Sequence, residues 1–407
     1  MTVRIKNHIA FNSSWSNKSV TMIGDSDEEF GFSNEPYRQY YQMEFQWPCL
    51  SFDVILDNLG AARTQFPHTA YFVSATQAET EDENQLLVTK ISNLQCTQND
   101  DNIEDESQLV NPNLCCCGNF HPGTANRVRS LPQQSNIVAT WSDTGNVLIW
   151  DINSGIVSVD SDSENGAVNM IFECEIGEEG FALAWSGLNK GLLGVGDCNG
   201  CVSLWNENSG SFSKTGLIEA HEDSVEDLVF SHSDQGIFMT CSCDGTIAIW
   251  DVRDLTHPVS RFLATKDKCD CNVIDWNRIQ NNLICSGADD GQIAIWDLRA
   301  ISDNTEPVAT MDYHQEAITS IEWNPNDESE FAVSSEDGRL TIWDLSVEAL
   351  DPEEKEEGIP DQMMFEHCVE DPKELHYHPQ IPSMIAVTGS KFEVFIPDIQ
   401  EGEQENE

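Results

Sequence analysis

His314, Ser335 and Asp337 supply the three side-chain types of a hydrolase triad within one short stretch of the chain. In such a triad the imidazole takes the hydroxyl proton and the carboxylate holds the ring. Cysteine offers a second chemistry. The tracts 115–117 (CCC), 241–243 (CSC) and 269–271 (CDC) carry the thiolates that zinc favours. Spacing argues against both. None of the tracts is a CxxC pair with a partner pair at zinc-finger distance. Neighbouring cysteines in a strand also point to opposite faces, so these read as small apolar packing residues. The histidine, serine and aspartate recur inside a repeated unit and read as structural. A Walker loop, an HExxH pair and a GxSxG elbow are all missing from the sequence. The chain reads as a non-enzyme with no cofactor and no metal.

The elements that position these residues come from an internal repeat. Five segments share one pattern: DTGNVLIWD (143–151), DCNGCVSLWN (197–206), SCDGTIAIWD (242–251), ADDGQIAIWD (288–297) and SEDGRLTIWD (335–344). A glycine (145, 200, 245, 291, 338) precedes a tryptophan (150, 205, 250, 296, 343) by five residues in each, and the tryptophans are spaced by 55, 45, 46 and 47. The glycine serves a tight turn, and the alternating run after it is a two-faced strand. Further strands upstream, such as 225–231 (VEDLVFS), make each unit a four-stranded meander that must stack on its neighbours to bury both faces.

This repeat resembles the WD40 β-propeller family, whose blades run about 40–45 residues. The resemblance gives His221, Asp244 and Trp250, and His314, Asp337 and Trp343, as within-blade hydrogen-bond networks. Two degenerate units, 71–94 and 374–399, extend the array, the second with Ser390 in the glycine place and Phe395 in the tryptophan place. The expected fold is therefore an all-β, seven-bladed propeller over 48–399. The strand 48–56 is assigned to blade seven as the clasp that removes its free edge.

Ahead of it, the spacing of Tyr37, Tyr40, Tyr41, Glu44 and Phe45 matches one helical face. It predicts a helix over 34–47, capped by Asn34, stopped before Pro48 and packed on the last blade. Residues 1–33 read as an acidic, flexible segment and 400–407 as an acidic disordered tail.

Trp47-Pro48-Cys49-Leu50 and the acidic stretch 353–367 (EEKEEGIPDQMMFEH) resemble a narrower group, the histone-binding WD40 proteins related to chromatin-assembly and retinoblastoma-binding subunits. The stretches 48–60, 74–80, 126–130 and 373–380 resemble a glutamate-rich branch of that group. The resemblance implies a groove for a histone helix. It would be formed by Tyr37, Tyr41, Glu44 and Phe45 with Glu356, Glu357, Gly358, Ile359, Pro360, Met364 and Phe365; Ile359 departs from a Pro-Pro turn. It also implies a nuclear and nucleolar protein that escorts a basic protein of the large ribosomal subunit.

Composition points the same way independently. Lys and Arg number 20 against 71 Asp and Glu, a net charge of −51. That excludes direct nucleic-acid binding through basic patches and suits strongly basic protein clients. No secretory leader follows Met1, and no apolar run nears the ~18 residues of a membrane span. The thiols therefore read as free, in a reducing compartment. A monomer is expected. Two alternatives stay open. Trp-Asp-x-Arg occurs at 250–253 and 296–299, where Arg253 and Arg299 resemble the adaptor-docking box of cullin-RING ubiquitin ligase receptors. A histone-binding subunit of a chromatin-assembly or chromatin-modifying complex is the other.

Overall fold

The computed structural model describes residues 5–8, 19–23, 36–97, 112–161, 166–265, 269–302, 305–348 and 359–399. Seven antiparallel sheets follow one another as meanders, and each signature run forms the third strand of its blade. The five turn glycines all have φ between 77° and 88°. At Gly200 the requirement is double: φ is +78°, and a Cβ would lie 2.4 Å from the His221 carbonyl oxygen. Each blade buries apolar residues on both faces against its neighbours. The tryptophan of one unit packs within its own blade and on the preceding one, as Trp250 does with Leu228 and Phe238 and with Ala182 of blade three.

The ring closes differently from the sequence-based expectation. Residues 37–44 form no helix. They are a β-strand, Tyr37–Glu44, paired antiparallel with Phe392–Pro397, so that Tyr40 faces Phe395 and Met43 faces Phe392. The physical cause lies in a register shift between Tyr37 and Gln39. One extra residue there changes the parity of a period-two strand. Tyr37 and Tyr40 consequently pack with Phe365 and Phe395 toward blade six, while Tyr41, Met43 and Phe45 pack with Phe52 and Phe392 toward blade one. A bulged strand thus imitates helical spacing. The α-helix in the described residues is Asn153–Ser161, inserted between the third and fourth strands of blade two. That insertion accounts for the long first tryptophan interval of 55.

The clasp assignment also moves. Cys49–Val54 is the innermost strand of blade one, and Tyr37–Glu44 is the fourth strand of blade seven. Blade seven therefore combines three strands from residues 374–397 with one from the other end of the chain. Two further strands, Ser19–Ile23 and Ile5–His8, continue this sheet outward, where a flexible segment was expected from composition.

Around the central channel, inner-strand carboxylates fasten blade to blade. Asp53 accepts the Ser130 N–H (2.6 Å), Asp227 that of Ile274 (3.2 Å), Asp275 that of Trp323 (2.8 Å), Glu322 that of Tyr377 (3.3 Å) and Glu374 that of Phe52 (2.9 Å). Between blades two and three the link is reversed, with Arg127 Nε donating to the Phe181 carbonyl (3.0 Å).

Candidate functional site

The triad residues are part of the scaffold. His314 Nδ1 lies 3.0 Å from Asp337 Oδ2, and its Nε2 lies 2.9 Å from Thr341 Oγ1, which also accepts the Trp343 indole N–H (2.7 Å). Ser335 instead donates to the Glu316 carbonyl (2.9 Å). Its hydroxyl has no bond to the imidazole and no base to activate it. His221 repeats the arrangement with Asp244 (3.0 Å), Thr240 (2.7 Å) and Trp250 (indole N–H to Thr240, 3.3 Å). Burial alone would raise the Asp244 carboxyl, but hydrogen bonds from His221 and Thr246 hold it well below the usual carboxylate range. A third member, His121, bonds Thr140 (2.7 Å) beside Trp150. Sequence pattern alone passed it over, although it precedes Thr140 by the 19 residues that separate His221 from Thr240. No group of three or more His, Cys, Asp or Glu side chains is placed to hold a metal among the described residues.

The residues proposed for a client groove divide between two seams. Tyr37 and Phe365 meet edge to face at 5.3 Å, on the seam between blades six and seven. Phe365 belongs to Met363–Cys368, the outer strand of blade six; Met364 and Phe365 are half-buried, Pro360 likewise, and Ile359 is 44% exposed. Tyr41 and Phe45 point the other way. The Tyr41 hydroxyl accepts the Gln95 N–H (2.9 Å), and Phe45 packs on Phe392 at 5.7 Å. Glu44 is exposed at the edge. Glu356, Glu357 and Gly358 lie outside the described residues.

A second surface emerges that single-residue reading had missed. One face of the disc carries the turns between second and third strands together with the blade-to-blade connections. Exposed carboxylates populate it around the ring: Glu81 and Asp82, Glu178 and Glu179, Glu222 and Asp223, Asp289 and Asp290, Asp312 and Glu316, Glu370 and Asp371. The described cations in these loops are committed. Lys373 pairs with Asp371 at 2.6 Å, and Lys391 donates to Gln42 at 3.1 Å. The exposed Lys190, Arg253, Arg278 and Arg299 all lie in loops of the opposite face. The sequence signal was available in the acidic residues that flank each repeat, but only the ring shows that they share a face.

Comparison with known proteins agrees with this architecture. A family profile described as histone-binding protein RBBP4 or the CAF1 complex's C component matches residues 32–95, and the WD domain, G-beta repeat profile matches 212–251 and 305–344. The chain is 36% identical to the protein HEAT STRESS TOLERANT DWD 1 of Arabidopsis thaliana, over 92% of this chain and 89% of that protein. It is 34% identical to ribosome assembly protein rrb1 of Schizosaccharomyces pombe, over 89% of this chain and 80% of that protein. To glutamate-rich WD repeat-containing protein 1 of Dictyostelium discoideum it is 38% identical, over 56% of this chain and 52% of that protein.

The chain belongs to the histone-binding WD40 family, in its glutamate-rich WD-repeat branch. The histone-binding profile covers the ring-closing strand and the first three strands of blade one.

Within this family framework the two Trp-Asp-x-Arg arginines are placed alike. Arg253 forks onto Asp251 (Nε to Oδ1 2.8 Å, Nη2 to Oδ2 2.5 Å), and Arg299 forks onto Asp297 (2.9 and 2.6 Å). Hydrogen bonds from Arg299 pull the Asp297 carboxyl down to about 2. The arginine side chains are 77% and 70% exposed, so each guanidinium is held by its own aspartate with one edge turned to solvent.

Proposed function

We propose that this WD40 protein is an acidic carrier for basic proteins of the nucleus and nucleolus. It escorts a basic protein of the large ribosomal subunit during ribosome assembly, and it binds histones. The observation that carries this reading is the face of exposed carboxylates with no uncommitted cation among its described loop residues. Such a face steers a cationic client in from a distance and holds it by many exchangeable contacts. One relative and one family profile support the client classes: the fission-yeast protein is named for ribosome assembly, and the matched family profile is named for histone binding. A client would also reach the seam where Ile359–Phe365 lies beside Tyr37–Glu44. In sequence, the acidic residues Glu356 and Glu357 precede the apolar Ile359, Met364 and Phe365.

The test is charge reversal at Glu222 and Asp223 with Asp289 and Asp290, all to Lys, beside reversal of Glu356 and Glu357. Affinity for purified H3–H4 and for a basic large-subunit ribosomal protein is measured at low and high salt. The expected result is a loss that is large at low salt and shrinks as salt screens the field. Equal low-salt affinity of wild type and both reversal variants would sink the proposal.

One observation favours a second reading. The matching aspartate–arginine forks present two guanidinium edges on neighbouring blades, which suits docking to a ligase adaptor. Pull-down of the cullin-RING adaptor, lost on changing Arg253 and Arg299 to Ala, supports it. No adaptor recovered with wild type counts against it.

A further inference from the structure

The outer strand of blade six, Met363–Cys368, alternates cleanly at its far end. Glu366 and Cys368 are exposed, while His367 between them is 1% exposed and turned toward blade seven. A buried histidine on an outermost strand needs two polar partners. Both come from the neighbouring blade, and from different strands of it. Tyr37 Oη lies 2.6 Å from His367 Nδ1, and Glu393 Oε2 lies 3.0 Å from His367 Nε2. With Nε2–H donating to the carboxylate, Nδ1 keeps the lone pair that accepts the Tyr37 O–H. Glu393 then gathers the ring-closing strand a second time, accepting from Tyr40 Oη (2.8 Å) and Gln42 Nε2 (3.2 Å). Apolar packing reinforces the junction. The Tyr37 ring stands edge-on to Phe365 (5.3 Å), His367 (5.6 Å) and Phe395 (5.8 Å). Burial pushes the Tyr37 hydroxyl well above its ordinary value, so it remains a donor. Burial opposes the Glu393 charge, but the bonds from His367, Tyr40 and Gln42 hold it below the usual range, so it remains an acceptor.

We propose that His367 is a positioning residue: it locks the segment Ile359–Cys368 in one placement against the strand that closes the ring, so that a client bound on that segment bears directly on ring closure. The proposal rests on the basic-client reading above. It follows from where the bonds go. Among the described residues, the strand Met363–Cys368 pairs by its backbone with Arg339–Asp344 of its own blade. Beside the ring contacts of Phe365, the side chain of His367 gives it hydrogen bonds to Tyr37 of the ring-closing strand and to Glu393 of Phe392–Pro397. Phe365, two residues away and on the same face, inherits that placement.

The test compares His367→Phe with His367→Gln in the full chain. Phenylalanine keeps the ring volume and removes both hydrogen bonds. Glutamine restores one donor and one acceptor. Backbone hydrogen exchange is expected to accelerate in His367→Phe at 363–368 and 37–44 with the other blades unchanged. The affinity for purified H3–H4 is expected to drop about tenfold, as a loosened site implies. His367→Gln is expected to recover most of both. Uniform acceleration across all blades would reduce His367 to an ordinary core residue and overturn the proposal. So would unchanged exchange, or local acceleration with unaltered H3–H4 affinity. Failure of wild type itself to bind H3–H4 would overturn the histone part of the client reading and the positioning role with it, and that outcome is told apart from the others by the wild-type measurement alone.

Discussion

Asp275 and Glu322 project from neighbouring inner strands into the central channel, a cavity of about 290 Å³ that Arg127, Arg129 and His376 also line. Burial, and then the Glu322 charge, push the Asp275 carboxyl up to about 7. A carboxyl whose folded value lies above its unfolded value of about 4 makes the folded state hold the extra proton. Stability is therefore lost as pH rises from about 4 to about 7, and the loss persists above that. Any hydrogen-bonding cost of Asp275→Asn is the same at every pH. The difference in Tm, variant minus wild type, should be more positive at pH 8 than at pH 5, and a pH-independent difference would contradict the assignment. Glu374 behaves oppositely. Although burial resists its charge, Arg129, His376 and Arg127 hold it well below the carboxylate range. Its Oε1 lies 2.9 Å from Arg127 and 2.8 Å from Arg129, and Oε2 accepts from Ser51 and Phe52. Glu374→Ala strands two partly buried guanidinium groups and should destabilise by roughly 3–5 kcal/mol in chemical denaturation. At this scale the blade histidines were legible, because a 23-residue interval between His221 and Asp244 recurs between His314 and Asp337. The channel charges were not, since Arg127 and Glu374 are distant in sequence and meet only through ring geometry.

Among the elements, the ring-closing strand shows where sequence pattern misleads. Tyrosines at 37, 40 and 41 satisfy a 3.6-residue period and also a bulged two-residue period, and local spacing cannot separate the two. What decides is the unpaired edge of Phe392–Pro397, a tertiary need that local pattern does not encode. The third strands were legible because a glycine at positive φ and an alternating run coincide five times over. Of the residues expected to share one groove, Tyr37 and Phe365 do meet, whereas the bulge turns Tyr41 and Phe45 to the other face. A chain beginning at residue 36 keeps the whole strand, with the Pro36 carbonyl still accepting the Asp398 N–H at 2.8 Å. It should retain its Tm and run as a single species on gel filtration. A chain beginning at residue 46 uncovers Phe392, Val394 and the strand edge, and should aggregate. Equal behaviour of the two truncations would remove the strand's closing role.

For the whole molecule, charge is sorted by face. Net charge of −51 is far more than solubility requires, and the structure places many of its exposed carboxylates on one side of the disc. Association with H3–H4 should therefore slow steeply between about 50 and 300 mM salt, with dissociation changing less. Stopped-flow measurement at several salt concentrations checks this, and a salt-independent association rate would point to an apolar docking site. The excess of acid was visible in composition; its division between two faces was not, because it depends on which loops alternate sides around a closed ring.

Blade seven draws its outer strand from residues 37–44 and its remaining strands from 374–397. Nearly the whole chain must leave the ribosome before this sheet exists. At about 5–20 residues per second, Glu44 waits roughly 20–70 s for Phe392 to appear. For that interval the edge of Tyr37–Glu44 that pairs with Phe392–Pro397 stays open, and the aromatic seam stays unmade. On the proposed reading, the protein is assembled last at the seam assigned to its client. During synthesis the nascent chain shows its surroundings carboxylates first and a finished grip only at the end.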